Sequence, residues 1–222
     1  MNVLVTGGAS GLGAAVVAAV QEAGGKPYVL DRVPVDGVPH LVVDLADTRA
    51  AERATAEIAA QAGGLDGIVT AAGMDVPGKL ADVAAEDWER IVAVDLLAPA
   101  AVIRAGLPHL GEGGRIVTVA STLGVKAVSD ATAYCAAKFG MVGFTRALAA
   151  ELAGRYGVTL LVPGGMRTHF FDARDEQYKP GPDAVLNDPA HVAQAVLFAL
   201  RQPAGCEIRE LVVCAGMESS YP

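Results

Sequence analysis

Cysteine is scarce: the 222-residue chain has three, Cys135, Cys206 and Cys214. They show no metal-ligand spacing, so no metal is expected, and an odd count makes no disulfide framework. Cys206 and Cys214 would pair only if the fold brought them together; three thiols in a reducing compartment is the simpler expectation. Basic residues are also in deficit. Seventeen Lys and Arg face 25 Asp and Glu, a formal charge of −8. That excludes the basic footprint of a nucleic-acid surface and the polybasic cluster of a membrane surface, so neither partner is expected. The most apolar stretch, residues 91–103, is broken by Asp95 and Pro99 and is expected to be too short and too polar to span a bilayer. Met1-Asn2 leads straight into a strand-like run, without the basic, apolar and cleavage regions of a signal peptide. A cytoplasmic protein is expected.

Apolar residues, by contrast, make up 52% of the chain, and mean hydropathy is +0.38. A large core follows, and disorder is excluded. The length suits one large α/β domain or two small ones. No linker, repeat period or low-complexity segment divides the chain, so a single domain over residues 1–222 is expected.

Short continuous apolar runs mark strands buried on both faces. They fall at residues 3–6, 28–30, 41–43, 67–70, 115–119, 158–162 and 210–214. Helices are predicted between them at 11–23, stopped by Gly24-Gly25; at about 47–61, capped by Asp47; at 86–110, kinked at Pro99; at 131–155, with a Thr-rich start that can cap it; and at 190–201. Alternation of this kind implies a doubly wound parallel sheet of about seven strands with helices on both faces. Between strands two and three, residues 33–39 are too short and too proline-broken for a crossover helix. A polar excursion occupies residues 166–189.

Thr6-Gly7-Gly8-Ala9-Ser10-Gly11-Leu12-Gly13 lies between the first strand and the first helix. Glycines there let backbone N–H groups approach a pyrophosphate, and the helix N-terminus adds positive dipole. A dinucleotide site requires this position, although Gly-x-x-x-Gly-x-Gly is not the usual spacing. Asp31 ends strand two, near the spacing at which an acid meets the adenosine ribose. Its carboxylate would repel a 2′-phosphate, which favours NAD over NADP; the neighbouring Arg32 could meet such a phosphate instead. Asp44, before Leu45, ends strand three and could accept from the adenine amino group or simply start a turn. Ser121 ends strand five, where ligands of such sheets bind. Tyr134 and Lys138, at i and i+4, share one helix face. A nearby ammonium favours a phenolate and lowers a Tyr pKa of about 10. The same pair also arises on plain solvated helices.

Together, Thr-Gly-x-x-x-Gly-x-Gly at 6–13, Ser121 placed 13 residues before Tyr134 of Tyr-x-x-x-Lys, and Pro-Gly-x-x-x-Thr at 163–168 resemble the short-chain dehydrogenase/reductase family. The resemblance covers nearly the whole chain in the right order. It implies a Rossmann-type fold and hydride transfer between NAD(H) and a secondary alcohol or ketone. It makes Tyr134 the general acid/base, Ser121 the residue that polarises the substrate oxygen, and Lys138 the ligand of the nicotinamide ribose. Thr168 and the backbone near Gly164 would hold the carboxamide side. A homodimer or homotetramer is implied, with helices 86–110 and 131–155 as interfaces. Three positions, in two places, depart from the family pattern. Its Asn-Asn-Ala-Gly reads Thr70-Ala71-Ala72-Gly73, keeping the Gly that lets the backbone pass the cofactor. Its catalytic Asn falls on Asp95, whose charge is expected to raise the Tyr134 pKa. The alternative is a nucleotide-binding sensor or scaffold with little redox activity. An epimerase or dehydratase fits poorly, because those relatives are longer and space their glycines differently. His169, in the excursion, is a polar filler unless it proves to have reach.

Overall fold

The computed structural model of the protein describes residues 1–218, 220 and 221. Its centre is a seven-stranded sheet in the order β3-β2-β1-β4-β5-β6-β7, with every pair parallel. The strands are β1 (Asn2–Thr6), β2 (Lys26–Asp31), β3 (His40–Val42), β4 (Leu65–Thr70), β5 (Leu110–Val119), β6 (Gly157–Pro163) and β7 (Glu210–Val213). The helices are α1 (Gly11–Glu22), α2 (Thr48–Ala62), α3 (Ala85–Val92), α4 (Ala98–Gly106), α5 (Thr132–Glu151) and α6 (Pro189–Leu200). No helix joins β2 to β3, as the prolines of that loop require.

The central strands divide their side chains between two cores. Leu4, Leu30, Ile68 and Ile116 pack with α2, α4 and α5 through Ile58, Val102 and Leu148. Val3, Val5, Val69, Val117 and Leu161 pack with α1 and α6 through Val16, Val20, Val196 and Leu200. A period of two on strands buried on both faces produces this division. The chain leaves β1 toward β2 and β3 and returns at β4 to build the other half. The switch point therefore lies between the carboxyl ends of β1 and β4, where open α/β sheets bind ligands.

Three local expectations need correcting. The predicted 86–110 helix is two α-helices joined through a π-helical turn, Ala93–Leu97, and closed by a 3₁₀ turn, Leu107–His109. Pro99 lies in the first turn of α4, two residues past the end of the π-helical turn. This helical run, Ala85–His109, is also long and apolar enough to cross a membrane by length and composition, contrary to the expectation drawn from 91–103. It is a core helix here: Ile91, Ala98, Val102 and Ile103 are buried. Finally, α5 has no side-chain cap. The Thr132 hydroxyl instead accepts from Trp88 Nε1 at 3.2 Å. Asp47 does cap α2, accepting from Arg49 N and Ala50 N.

Candidate active site

The loop after β1 is shaped by its glycines. Gly7 has φ +73° and Gly11 φ +53°, conformations that L side chains rarely adopt. A Cβ on Gly13 would lie 2.0 Å from the Gly7 carbonyl oxygen, and one on Gly7 would lie 2.7 Å from Cα of Ala72. The β1 and β4 loops therefore touch at the switch point, and Ala72 N also donates to Thr6 Oγ1 at 3.2 Å. Ser10, the N-cap of α1, makes no side-chain cap bond, and no acid occupies the first turn. The N–H groups of Gly11, Leu12 and Gly13 thus remain at a positive helix end, which fits a pyrophosphate. Thr168 sits beside Gly11; its Cβ would be 3.5 Å from a Cβ placed there.

Asp31 ends β2 beside this loop. It accepts from Ala9 N at 2.9 Å and from Val33 N at 3.2 Å, so it is fixed next to the glycines. Arg32 is exposed. The Asp44 carboxylate is engaged by Arg90 Nη2, at 2.8 and 3.0 Å, and by Ala46 N. Those contacts, the Arg90 hydrogen bond foremost, hold its pKa below the ordinary range. Leu45 is buried in the core under the same loop. At the other end, Gly165 N donates to Glu218 Oε2 at 3.0 Å, which sets a carboxylate of the C-terminal tail against Gly164.

The end of β5, α5 and the π-turn bring four polar side chains together. Ser121 accepts from Leu123 N at 3.1 Å and is hydrogen-bonded to the Tyr134 phenol. Lys138 lies under the phenol ring, its Nζ 5.4 Å from the centroid. It donates to Val119 O at 3.1 Å and lies 3.1 Å from Asp95 Oδ2. The Lys138 side chain is 4% exposed and that of Asp95 0%. Asp95 Oδ1 accepts from Met74 N at 2.8 Å, tying the π-turn to the loop beyond Gly73.

Burial pushes the Tyr134 phenol above its ordinary pKa. Lys138 and Ser121 pull it down, while the Asp95 and Asp75 carboxylates add to the rise. The ammonium alone therefore does not set the direction, contrary to the expectation from the i, i+4 pair. Burial also raises Asp95, against Lys138 and the Met74 N–H. For Lys138 burial works downward, but the Asp95 carboxylate, helped by Tyr134, outweighs it, and the ammonium is held up.

The 166–189 excursion closes over this group. Phe170 stands 5.8 Å from the Tyr134 ring, tilted by 54°, and meets Phe171 edge-on at 5.5 Å. The Arg174 guanidinium covers both phenyl rings, 4.8 and 4.7 Å from their centroids. Its Nη2 donates to Asp75 Oδ2 at 2.8 Å, so the excursion is pinned to the loop after Gly73. Burial pushes the Asp75 carboxyl up to about 6, although Arg174 opposes it. A cleft of about 410 Å³ opens beyond Phe171, lined by Arg167, Thr168, Lys179 and Leu186 among others. His169 points away: its side chain is 87% exposed and pairs with Asp172.

A family model described as short chain dehydrogenase matches residues 1–179. The chain belongs to the short-chain dehydrogenase/reductase family. L-fucose dehydrogenase of Mus musculus is 29% identical over 243 residues, covering 99% of this chain and 89% of that protein. The 2,5-dichloro-2,5-cyclohexadiene-1,4-diol dehydrogenase LinX of Sphingobium indicum is 30% identical over 216 residues, covering 88% and 86%. A short-chain dehydrogenase from Burkholderia cenocepacia, solved in complex with NADP, superposes with a TM-score of 0.85 at 26% identity, covering 96% of each chain. The protein is accordingly an NAD(P)-linked oxidoreductase.

Three positions set this short-chain dehydrogenase/reductase apart. The first two residues of Thr70-Ala71-Ala72-Gly73 supply no amide side chains, and Thr70 Oγ1 is buried without a partner. Asp95 forms a buried ion pair with Lys138 at the position where the family pattern has Asn. Sequence reasoning missed Asp75 and Arg174. Asp75 lies in the loop after Gly73 and Arg174 in the 166–189 excursion, and neither belongs to a motif. Asp75 stands between the apolar Met74 and Val76, while Arg174 is one charge among Asp172, Asp175 and Glu176, so nothing local singles it out.

Proposed function

We propose that the chain interconverts a secondary alcohol and a ketone using NAD(H), with Tyr134 as the general acid/base. The convergence of Ser121, Tyr134 and Lys138 beside the glycine loop carries this reading. When bound, the nicotinamide ring supplies or accepts the hydride. Tyr134 takes the carbinol proton in oxidation and returns it in reduction. Ser121 donates to the substrate oxygen and sets its distance from the phenol. Lys138 stabilises the phenolate and holds the nicotinamide ribose, while Asp95 fixes the ammonium in place. Gly7 to Gly13 and the start of α1 receive the pyrophosphate; Thr168 and the Gly164 backbone receive the carboxamide side. Ala71, Ala72 and Gly73 line the cofactor at the β4 end. The names of the mouse and Sphingobium relatives, both dehydrogenases of hydroxylated compounds, support an alcohol substrate.

NAD is proposed over NADP because Asp31 holds a carboxylate beside the glycine loop, where a 2′-phosphate would meet like charge. Arg32, Asp44 and Leu45 complete the adenosine side. Residues 1–222 form one nucleotide-binding domain in this reading, with 166–189 as the substrate cover. A cytoplasmic enzyme suits three free thiols, one of them exposed. A homodimer or homotetramer would cover Leu97 and Phe139, which are half exposed. The second reading is a nucleotide-binding sensor or scaffold. The Asp95 carboxylate favours it, by neutralising the ammonium that should promote the phenolate. A panel of secondary alcohols and ketones, followed by nicotinamide absorbance, separates the two. Turnover of any member supports the oxidoreductase; tight nucleotide binding with no turnover across the panel supports the sensor.

A further inference from the structure

The ion pair between Asp75 and Arg174 leaves two polar atoms unused. Asp75 Oδ1 and Arg174 Nε are both buried without a hydrogen-bond partner, although the Asp75 carboxylate as a whole also takes a backbone N–H bond from Val76. A buried polar atom without a partner costs about 1–3 kcal/mol, and more when charged, so two on one pair call for an explanation. They are complementary: a carboxylate oxygen only accepts, and a guanidinium N–H only donates. A hydroxyl, like water, donates and accepts through one atom. The pair also stands close enough to Tyr134 for the charge of each residue to interact with the phenol.

The surroundings narrow the ligand further. Asp75 and Arg174 are opposite charges side by side, so they give no net pull on an ionic substrate. Asp95, further in, would oppose an anion, and its own partner Lys138 is already engaged. Phe170 and Phe171 offer apolar faces to carbon between the polar contacts. A neutral molecule with C–H faces and more than one hydroxyl matches all of these features.

We propose that Asp75 and Arg174 read a second hydroxyl next to the reacting carbinol, so that the substrate is a neutral vicinal diol or polyol. The hydroxyl donates to Asp75 Oδ1 and accepts from Arg174 Nε while the first hydroxyl meets Ser121 and Tyr134. This rests on the alcohol-oxidation reading for the first hydroxyl. The recognition pair itself is independent of turnover.

The probes are a vicinal cyclohexanediol and cyclohexanol, which differ by one hydroxyl. Each is measured twice: by equilibrium binding to enzyme saturated with NADH, and by kcat/KM with NAD. The diol is expected to be favoured by roughly 10–100-fold in both, the size of a hydrogen bond to a charged group. Asp75→Ala and Arg174→Met should each bring the ratio to within about threefold of unity, and Asp75→Asn, which keeps an acceptor, should retain part of it. Since a single change leaves a buried charge unpaired, the double variant Asp75→Ala/Arg174→Met guards against loss of folding. A diol preference absent in the wild type, or unchanged in the variants, overturns the inference. Oxidation of both probes at equal efficiency sinks it while leaving the oxidoreductase reading intact. Preferential diol binding without oxidation of either probe does the reverse.

Discussion

Lys138 Nζ lies 3.1 Å from Asp95 Oδ2, and both side chains are buried. The carboxylate comes from the π-helical turn Ala93–Leu97, which widens the helix where Asp95 turns inward. The pair acts on Tyr134 in two ways. It holds the ammonium under the ring, and it places a negative charge close enough to disfavour a phenolate. Alcohol oxidation needs that phenolate, so activity rises with pH through the Tyr134 titration. Asp95→Asn removes one negative charge and leaves Lys138 less neutralised. The acid limb of the kcat/KM profile should therefore move to lower pH; a shift to higher pH would show that Asp95 aids the base. Asp95→Ala, which strands a buried ammonium, should cost roughly 3–5 kcal/mol in denaturant unfolding.

Gly13 is where the loop has no room to spare. A Cβ there would meet backbone, the Gly7 carbonyl, which no rotamer change can move aside. Gly13→Ala should displace the loop and lower NADH affinity by more than tenfold in a fluorescence titration, a loss of roughly 1.4 kcal/mol or more. Unchanged affinity would mean that the cofactor does not bind against this turn.

Asp31 is the test of cofactor choice. Asp31→Ala removes both the proposed ribose acceptor and the charge that repels a 2′-phosphate. The NAD-to-NADP affinity ratio should fall by roughly 10–100-fold, measured by titration with both reduced cofactors. A ratio that does not fall contradicts the assignment of Asp31, and the NADP bound by the Burkholderia relative makes that comparison informative.

Leu97 and Phe139, 50% and 45% exposed, offer an apolar surface on the two helices proposed as interfaces. Light scattering at micromolar concentration should give the mass of a dimer or tetramer, and Phe139→Glu should reduce it. A monomer would refute the assembly.

Much of the architecture was legible in the sequence because it is written locally. The apolar runs, the Asp47 cap and the proline-broken path from β2 to β3 each depend on neighbours in the chain. Ser121, Tyr134 and Lys138 were legible because spacing along a strand end and a helix face sets them. The π-turn was not, since one wider hydrogen-bonded turn barely alters a helical pattern. Pro99 drew the expected kink instead, two residues past the end of the π-turn. The main cause of the Tyr134 pKa rise was also hidden: the Lys138 ammonium and the Asp95 charge are visible in sequence, but the burial that outweighs the ammonium is a property of the whole fold. Asp75 and Arg174 are 99 residues apart on two loops, and no local period links them.

The central claim is that Tyr134 moves the proton while other residues hold the cofactor. Its most direct test is Tyr134→Phe, with NADH binding and turnover measured on the same preparation. Because a positioned acid/base contributes roughly 10²–10⁴-fold, kcat/KM should fall by that factor while the NADH dissociation constant stays within about threefold of wild type. Retained turnover in the Phe variant would contradict the account.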